Sequence, residues 1–231
     1  MLAFVCAAAV ASAVAVASGS SPISRRTVLQ AGVAVGATPL LYSSARPAVA
    51  APAALRVPSF ALGSLQASRI IQGHWQLAGG HGRGPTVNAL ANMKAHFDTG
   101  ITTLDTADIY GPSELRVGEF VKSEPNAVAC TKFCCFRGLD AIDRAEVRAR
   151  VKQQCARLQV QRLPLVAFFW ADYSVRRYVE VAKMLNELRE EGLIDNIGLT
   201  NFDLPRLREF VDAGIPVVSN QHNIQNTQTP A

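Results

Sequence analysis

Residues 1–68 contain no aspartate, glutamate or lysine, and the first acidic residue of the chain is Asp98. The only charged side chains in that stretch are Arg25, Arg26, Arg46 and Arg56. Of the 23 basic residues these four leave 19, against 18 acidic ones, from Arg69 onward. The formal charge of +5 therefore belongs mostly to the first part, and the rest is close to neutral. That excludes the net charge as the footprint of a nucleic-acid binder. Histidine is scarce too: His74, His81, His96 and His222 all lie far in sequence from the cysteines. The spacing of Cys130, Cys134 and Cys135 matches no common zinc or iron–sulfur pattern, so no metal site is expected. Those three and Cys155 read as buried free thiols. Finally, no G-x-G-x-x-G joins a strand to a helix, which weakens a doubly wound dinucleotide fold.

What is present begins with an address. Residues 2–17 form an uncharged Ala/Val-rich run, short for a bilayer span of ~20 residues and similar to the apolar part of a signal peptide. A second block places Arg25-Arg26 before a moderately apolar stretch that ends in Ala48-Val49-Ala50. Paired arginines followed by a small-x-small site are the pattern of a twin-arginine export signal. Two signals in series over 1–50 predict delivery to a plastid and then the thylakoid lumen; a plain export leader to a periplasm is the alternative. After processing no stable membrane anchor is expected. Residues 51–68 read as a linker, 69–223 as the folded body and 224–231 as an irregular tail.

The body alternates helical and strand patterns. Leu90, Met93 and Phe97 recur at helical spacing and Gly100 closes them; Val147, Val151, Cys155 and Leu158 make a second stripe. Ser174 is placed to cap a third helix carrying Tyr178, Ala182, Leu185 and Leu188, stopped by Gly192. Leu207 and Phe210 mark a fourth, and a weaker one runs over 114–122. Between them lie apolar runs at 69–71, 101–104, 127–130, 165–168, 196–199 and 216–219. They show no period of two, as strands covered on both faces should not. Such alternation implies an α/β fold with parallel strands and right-handed crossovers. At ~30 residues per unit the body holds five to six βα units, whereas a closed (β/α)8 barrel needs about 250 residues. The choices are a doubly wound sheet or an incomplete barrel.

The chemistry-bearing residues fall at strand ends. Asp105 closes one strand, Tyr110 follows it, and Lys132 lies at the end of the next. In a parallel sheet these converge in one crevice. An ammonium favours the phenolate and so lowers a phenol's pKa from ~10, while a carboxylate keeps the lysine charged. Together the three make a proton donor.

The ordered motifs Gly73-His74-Trp75-Gln76, Leu104-Asp105-Thr106-Ala107-Asp108-Ile109-Tyr110-Gly111-Pro112-Ser113-Glu114, Thr131-Lys132 and Gly198-Leu199-Thr200-Asn201-Phe202 resemble the aldo-keto reductase family. So do the stretches 165–174 and 217–221, and the resemblance covers about 69–222. It implies a (β/α)8 TIM barrel that binds NADPH without a Rossmann domain and reduces a small-molecule carbonyl by hydride transfer. Tyr110 would be the acid, Lys132 its tuner and Asp105 the partner of Lys132. Trp75 and Trp170 would line the substrate mouth. Thr200, Asn201 and Gln221 would hold the nicotinamide carboxamide, which needs a rigid donor and acceptor.

Two departures from the family pattern stand out. The family usually has a histidine in a stretch such as Phe-His-Trp; here it reads Phe168-Phe169-Trp170. Losing one oriented donor costs ~3–4 kcal/mol in the transition state. In addition, residues 222–231 carry no strand or helix pattern, so about six units are expected, without the loops that bind cofactor phosphates in such barrels. Open strand edges would invite self-association. The sequence thus predicts an impaired NADPH-dependent carbonyl reductase, with a non-catalytic nicotinamide-binding or assembly module as the alternative.

Overall fold

The computed structural model describes residues 56–79 and 88–222. The expected leader over 1–50, the start of the linker, His81 and the tail over 224–231 lie outside the described residues. Within the stretch read as linker, two strands form instead. Strand β1 (Ser59–Leu62) pairs antiparallel with β2 (Leu65–Ser68). A hairpin this tight needs a positive φ, which Gly63 supplies at 58°. The hairpin loop is fastened to a distant segment: Ser64 N donates to Asn196 Oδ1 at 3.0 Å, and Asn196 Nδ2 donates to Ser64 Oγ at 2.8 Å. Its apolar side, Leu62 and Ala67, packs on Cys130, Leu165 and Ala167.

Each of the six expected apolar runs overlaps a strand, the run at 69–71 only at Ile71. The strands are β3 (Ile71–Gly73), β4 (Thr103–Asp105), β5 (Val128–Cys135), β6 (Leu165–Trp170), β7 (Ile197–Thr200) and β8 (Val217–Gln221). They lie in sequence order, every neighbouring pair parallel, in one curled sheet. Helices α1 (Ala89–Asp98), α2 (Ser113–Ser123), α3 (Arg144–Leu158), α4 (Tyr178–Glu190) and α5 (Leu204–Asp212) alternate with them. This is an α/β fold of the incomplete (β/α)8-barrel type. Among the described residues no helix is long and apolar enough to cross a membrane.

Alternation along the strands sorts the buried residues into two sets. Val128, Cys130, Leu165 and Ala167 pack against the hairpin inside the sheet's curl. Ala129, Phe133, Cys135, Val166, Phe168 and Trp170, one residue out of phase, join the larger core with the helices. That core has an aromatic centre: the Phe168 ring lies 5.7 Å from Phe202, 5.9 Å from Trp170 and 6.2 Å from Phe210.

The helix ends follow local chemistry, with one correction. Asp143 caps α3 by accepting from Glu146 N at 2.8 Å, and Asp203 caps α5 by accepting from Arg206 N at 3.0 Å. Ser174 caps nothing: its N–H donates to Asp172 Oδ1 at 2.9 Å, and α4 starts later, at Tyr178. The aspartate turn two residues upstream uses the geometry a cap would need. Where α2 meets the end of α3, Gly118 is required, since a Cβ there would come within 2.2 Å of Arg157 O.

Candidate active site

The C-terminal ends of β4 and β5 build the site. Parallel register sets Asp105 beside Cys130, so Asp105 and Lys132 are on the same, inward face of neighbouring strands. Lys132 Nζ reaches both carboxylate oxygens of Asp105 at 2.6 Å and donates a third bond to Thr106 O at 3.0 Å. Each proton of the ammonium therefore has an acceptor. Both side chains are largely removed from solvent, 6% exposed for Lys132 and 14% for Asp105.

After β4 the chain turns back over this pair. Asp108 fixes the turn: its carboxylate accepts from Arg150 at 2.7 Å and from Cys134 N at 3.3 Å. Thr106 Oγ1 donates to Ser113 Oγ at 2.7 Å, and Ser113 Oγ donates to His74 O at 3.0 Å. Held at both ends, the turn places the Tyr110 ring with its centroid 5.1 Å from Lys132 Nζ, within cation–π range. The three residues expected to form the proton donor are thus together.

The direction of the phenol's shift differs from the expectation. Burial raises the Tyr110 pKa above 10.0; the Lys132 charge opposes this, and Asp105 and Cys134 reinforce it. Desolvation outweighs the ammonium, whose effect on the phenol the adjacent Asp105 charge partly cancels. Burial pulls the lysine down, but Asp105 and then Tyr110 more than offset it, and Lys132 is raised from 10.5. Burial lifts the Asp105 carboxyl despite the lysine. The site at neutral pH is an ammonium, held against Asp105, beneath a protonated phenol.

The second cluster lies two strands away. Thr200 ends β7 opposite Gln221 of β8, and Asn201 N donates to Gln221 O at 2.8 Å. A register shift at Val218 is what sets Gln221 beside Thr200. Without it Asn220 would stand there; instead Asn220 is buried and bonds both polar backbone atoms of Phe202. Thr200 Oγ1 is buried with no hydrogen-bond partner among the described residues. Asn201 adopts a left-handed φ of 63°, which asparagine tolerates better than most residues, and its side chain is exposed. A buried hydroxyl without a partner among the described residues, beside an exposed amide at converging strand ends, fits the donor–acceptor needs of a carboxamide.

The two tryptophans separate. Trp75 follows β3 in a short 3-10 turn, is 52% exposed, and lies at the strand end where Asp105 sits. Trp170 is 1% exposed and its indole N–H is shared between Asp172 O at 2.8 Å and Val175 O at 3.0 Å. It packs on Phe168 and Tyr178 in the helix-facing core, so the structure does not put it on a substrate mouth. Period two explains this: Phe169 and Trp170 are neighbours on one strand and cannot share a face. Phe169 takes the inward position, opposite Cys134, with its ring 5.1 Å from that of Phe136.

A family profile described as "Aldo/keto reductase family" matches residues 69–229, well over half of the sequence. The chain belongs to the aldo/keto reductase family. Among curated relatives, the methylglyoxal reductase DkgA of Yersinia pestis is 32% identical over 133 residues, 57% of this chain and 47% of the relative. The aldo-keto reductase YhdN of Bacillus subtilis is 30% identical over 156 residues, 63% of this chain and 47% of the relative. The chain spans about half the length of the curated relatives it matches. Among solved structures, the glycerol dehydrogenase of Gluconobacter oxydans aligns at TM-score 0.59 and 27% identity, covering 73% of this chain and 54% of that one. A Bombyx mori aldo-keto reductase in complex with NADP shares the fold at TM-score 0.62 and 19% identity, over 77% and 62% of the two chains.

Three further groups surround the candidate site, none of them singled out by the sequence pattern. His74 is 4% exposed, and its Nδ1 lies 3.3 Å from Asp105 O. A carbonyl only accepts, so Nδ1 carries the proton and Nε2, which has no partner among the described residues, is an acceptor. Burial lowers the His74 pKa to about 4, which keeps the ring neutral. The others are the Asp108–Arg150 pair and a buried carboxylate, Glu114. The thiols, by contrast, are as expected: all four are buried and free, with burial raising Cys130 to about 12 and Cys135 to about 11.

Proposed function

We propose that this aldo/keto reductase catalyses NADPH-dependent reduction of a small aldehyde or ketone, with Tyr110 as general acid, Lys132 as its tuner and Asp105 as the partner of Lys132. The observation that carries the reading is the meeting of Asp105, Lys132 and Tyr110 at adjacent strand ends, with every ammonium proton satisfied. Thr200, Asn201 and Gln221 would hold the cofactor's carboxamide, and Trp75 would border the substrate. The cofactor, when bound, supplies a hydride to the carbonyl carbon. The chain's own part is the proton: the Tyr110 hydroxyl donates it to the carbonyl oxygen as negative charge develops there, and the adjacent ammonium stabilises the phenolate left behind.

The raised phenol pKa favours this direction, since a donor must be protonated at the working pH and Tyr110 is. Oxidation of an alcohol would need the phenolate, which is scarcely populated. Rates of reduction should accordingly stay level through neutral pH and fall only as pH rises above 10, where the acid form is lost. Methylglyoxal, the substrate in the name of one relative, is a suitable first carbonyl. The test is methylglyoxal-dependent NADPH oxidation with and without Tyr110→Phe: the variant should lose about two to four orders of magnitude in kcat. Equal rates would end the assignment.

Phe169 favours a second reading, a nicotinamide-binding module without turnover. An apolar ring opposite Cys134 gives the carbonyl oxygen no donor. Cofactor fluorescence titration separates the two: saturable NADPH binding with no carbonyl-dependent oxidation supports the module. On either reading, the paired signals of residues 1–50 suit delivery of a folded, cofactor-loaded protein to the thylakoid lumen.

A further inference from the structure

The buried carboxylate of Glu114 stands outside the chemistry described so far, yet it is tied to it. Glu114 sits in the first turn of α2 and is 1% exposed. Its Oε1 accepts from Thr131 Oγ1 at 2.6 Å and from Gln154 Nε2 at 3.3 Å; its Oε2 accepts from Arg157 Nε at 2.5 Å. Gln154 Nε2 in turn donates to Lys132 O at 2.8 Å. A carbonyl only accepts, so this contact fixes which way the Gln154 amide faces. One carboxylate therefore holds the side chain of residue 131 directly and the backbone of residue 132 through one amide.

Alternation gives that grip its consequence. Thr131 points outward to the helices because Lys132 points inward to Asp105, and rotation of β5 at residue 131 would swing the ammonium away. Packing by itself does not explain a buried carboxylate here, paired with a partly exposed arginine, because well-packed apolar residues in place of buried ionic groups are often neutral or stabilising. Its retention is explained if orientation of β5 is what matters. We infer that Glu114 is a positioning residue for the proton donor: with Gln154 and Arg157 it locks the outer face of β5 so that Lys132 bridges Asp105 and Tyr110. This rests on the proposed role of those three residues.

The test reads Tyr110 itself and needs no turnover. Ultraviolet titration of the full chain, with the Tyr110→Phe chain as the subtracted blank, reports ionisation of this one phenol among the four tyrosines. Lys132→Met is the control, and it should raise the Tyr110 pKa because the opposing ammonium is gone. Glu114→Gln keeps the shape but cannot pair with Arg157, and Thr131→Val removes the hydroxyl at nearly equal volume. Each should shift the Tyr110 titration upward by about half a unit or more, and Thr131→Ser should restore it. In a kinetic assay the same variants should lower kcat with KM unchanged. If Lys132→Met moves the titration while Thr131→Val and Glu114→Gln only lower thermal stability, the inference is overturned and the proton-donor reading stands. If Lys132→Met leaves the titration unmoved, the proton-donor reading fails and this inference falls with it. Should Glu114→Gln not fold, the Thr131 pair decides alone.

Discussion

The two halves of the sheet are held by different physics. Around β4, β5, α2 and α3 the apolar core is crossed by ion pairs with buried carboxylates: Lys132 on Asp105, Arg157 on Glu114, Arg150 on Asp108. Around β6, β7, α4 and α5 it is aromatic, with Phe168, Trp170, Tyr178, Phe202 and Phe210 in mutual contact. A polar bond from that cluster to a charged group, Tyr178 Oη donating to Glu209 at 2.7 Å, is at its edge. Buried ions are a poor source of stability, because desolvation consumes most of the attraction. Rings contribute through area and contact. On the proposed function, the contrast puts the proton chemistry in the first half and rigidity beside the carboxamide site in the second, and single substitutions should separate the two.

Lys132→Met should produce the largest change. It leaves Asp105 buried without its partner, which costs about 3–5 kcal/mol of stability, and it removes the tuner of Tyr110. Urea unfolding and kcat should fall together. The double variant with Asp105→Asn should recover much of the stability and none of the activity. Recovery of both would mean the pair is structural only.

Phe168→Ala in the aromatic half should cost about 3–5 kcal/mol through lost contacts and a cavity. Here the effects should part: the unfolding midpoint drops, while the Tyr110 titration stays where it was. A titration that moved with Phe168 would erase the division of labour.

Next in size is the pH response of His74. An imidazole whose pKa is depressed on folding is protonated first in the unfolded chain. As pH falls from 6.5 toward about 4, the unfolded state takes up a proton that the fold refuses, so stability is lost in that window. The loss at pH 4.5 relative to pH 7 should be about 2 kcal/mol. Asp105, whose pKa is raised, works the other way at low pH, so the comparison needs His74→Asn, which should flatten the histidine's share. An unchanged pH profile in that variant would remove His74 from the account.

How much of this was legible follows the same divide. The aromatic half could be read well, because long apolar runs and helical stripes are local signals: each of the six apolar runs overlaps a strand. Trp170 is legible too, since Phe169 and Trp170 alternate by period two. The hairpin at 59–68 was read as linker because each strand has four residues and its partners, such as Asn196, are over a hundred positions away. In the ionic half, Asp105, Tyr110 and Lys132 could be found because one motif and one short step carry them. Glu114, Gln154 and Arg157 could not be linked, being up to 43 positions apart with no pattern that joins them. The sign of the Tyr110 shift was out of reach for a related reason: proximity of a lysine is a sequence matter, but desolvation is a property of the whole packed site.

Phe169→His is the smallest predicted effect and the sharpest probe of where the two halves meet. Phe169 is on β6, the first strand of the aromatic half, yet faces inward, paired with Cys134 across from the ionic half. Its ring contacts Phe136, which is half exposed, so the position borders solvent and not the closed core. A histidine there would place an N–H where the carbonyl oxygen needs a second donor, and little packing would be lost. An optimised donor is worth a factor of hundreds; one introduced without supporting contacts should give about tenfold in kcat, or ~1.4 kcal/mol. The gain should vanish in Tyr110→Phe, because a second donor polarises the carbonyl and does not replace the proton. A gain that survived without Tyr110 would move the acid to residue 169, and no gain at all would place the substrate oxygen away from β6.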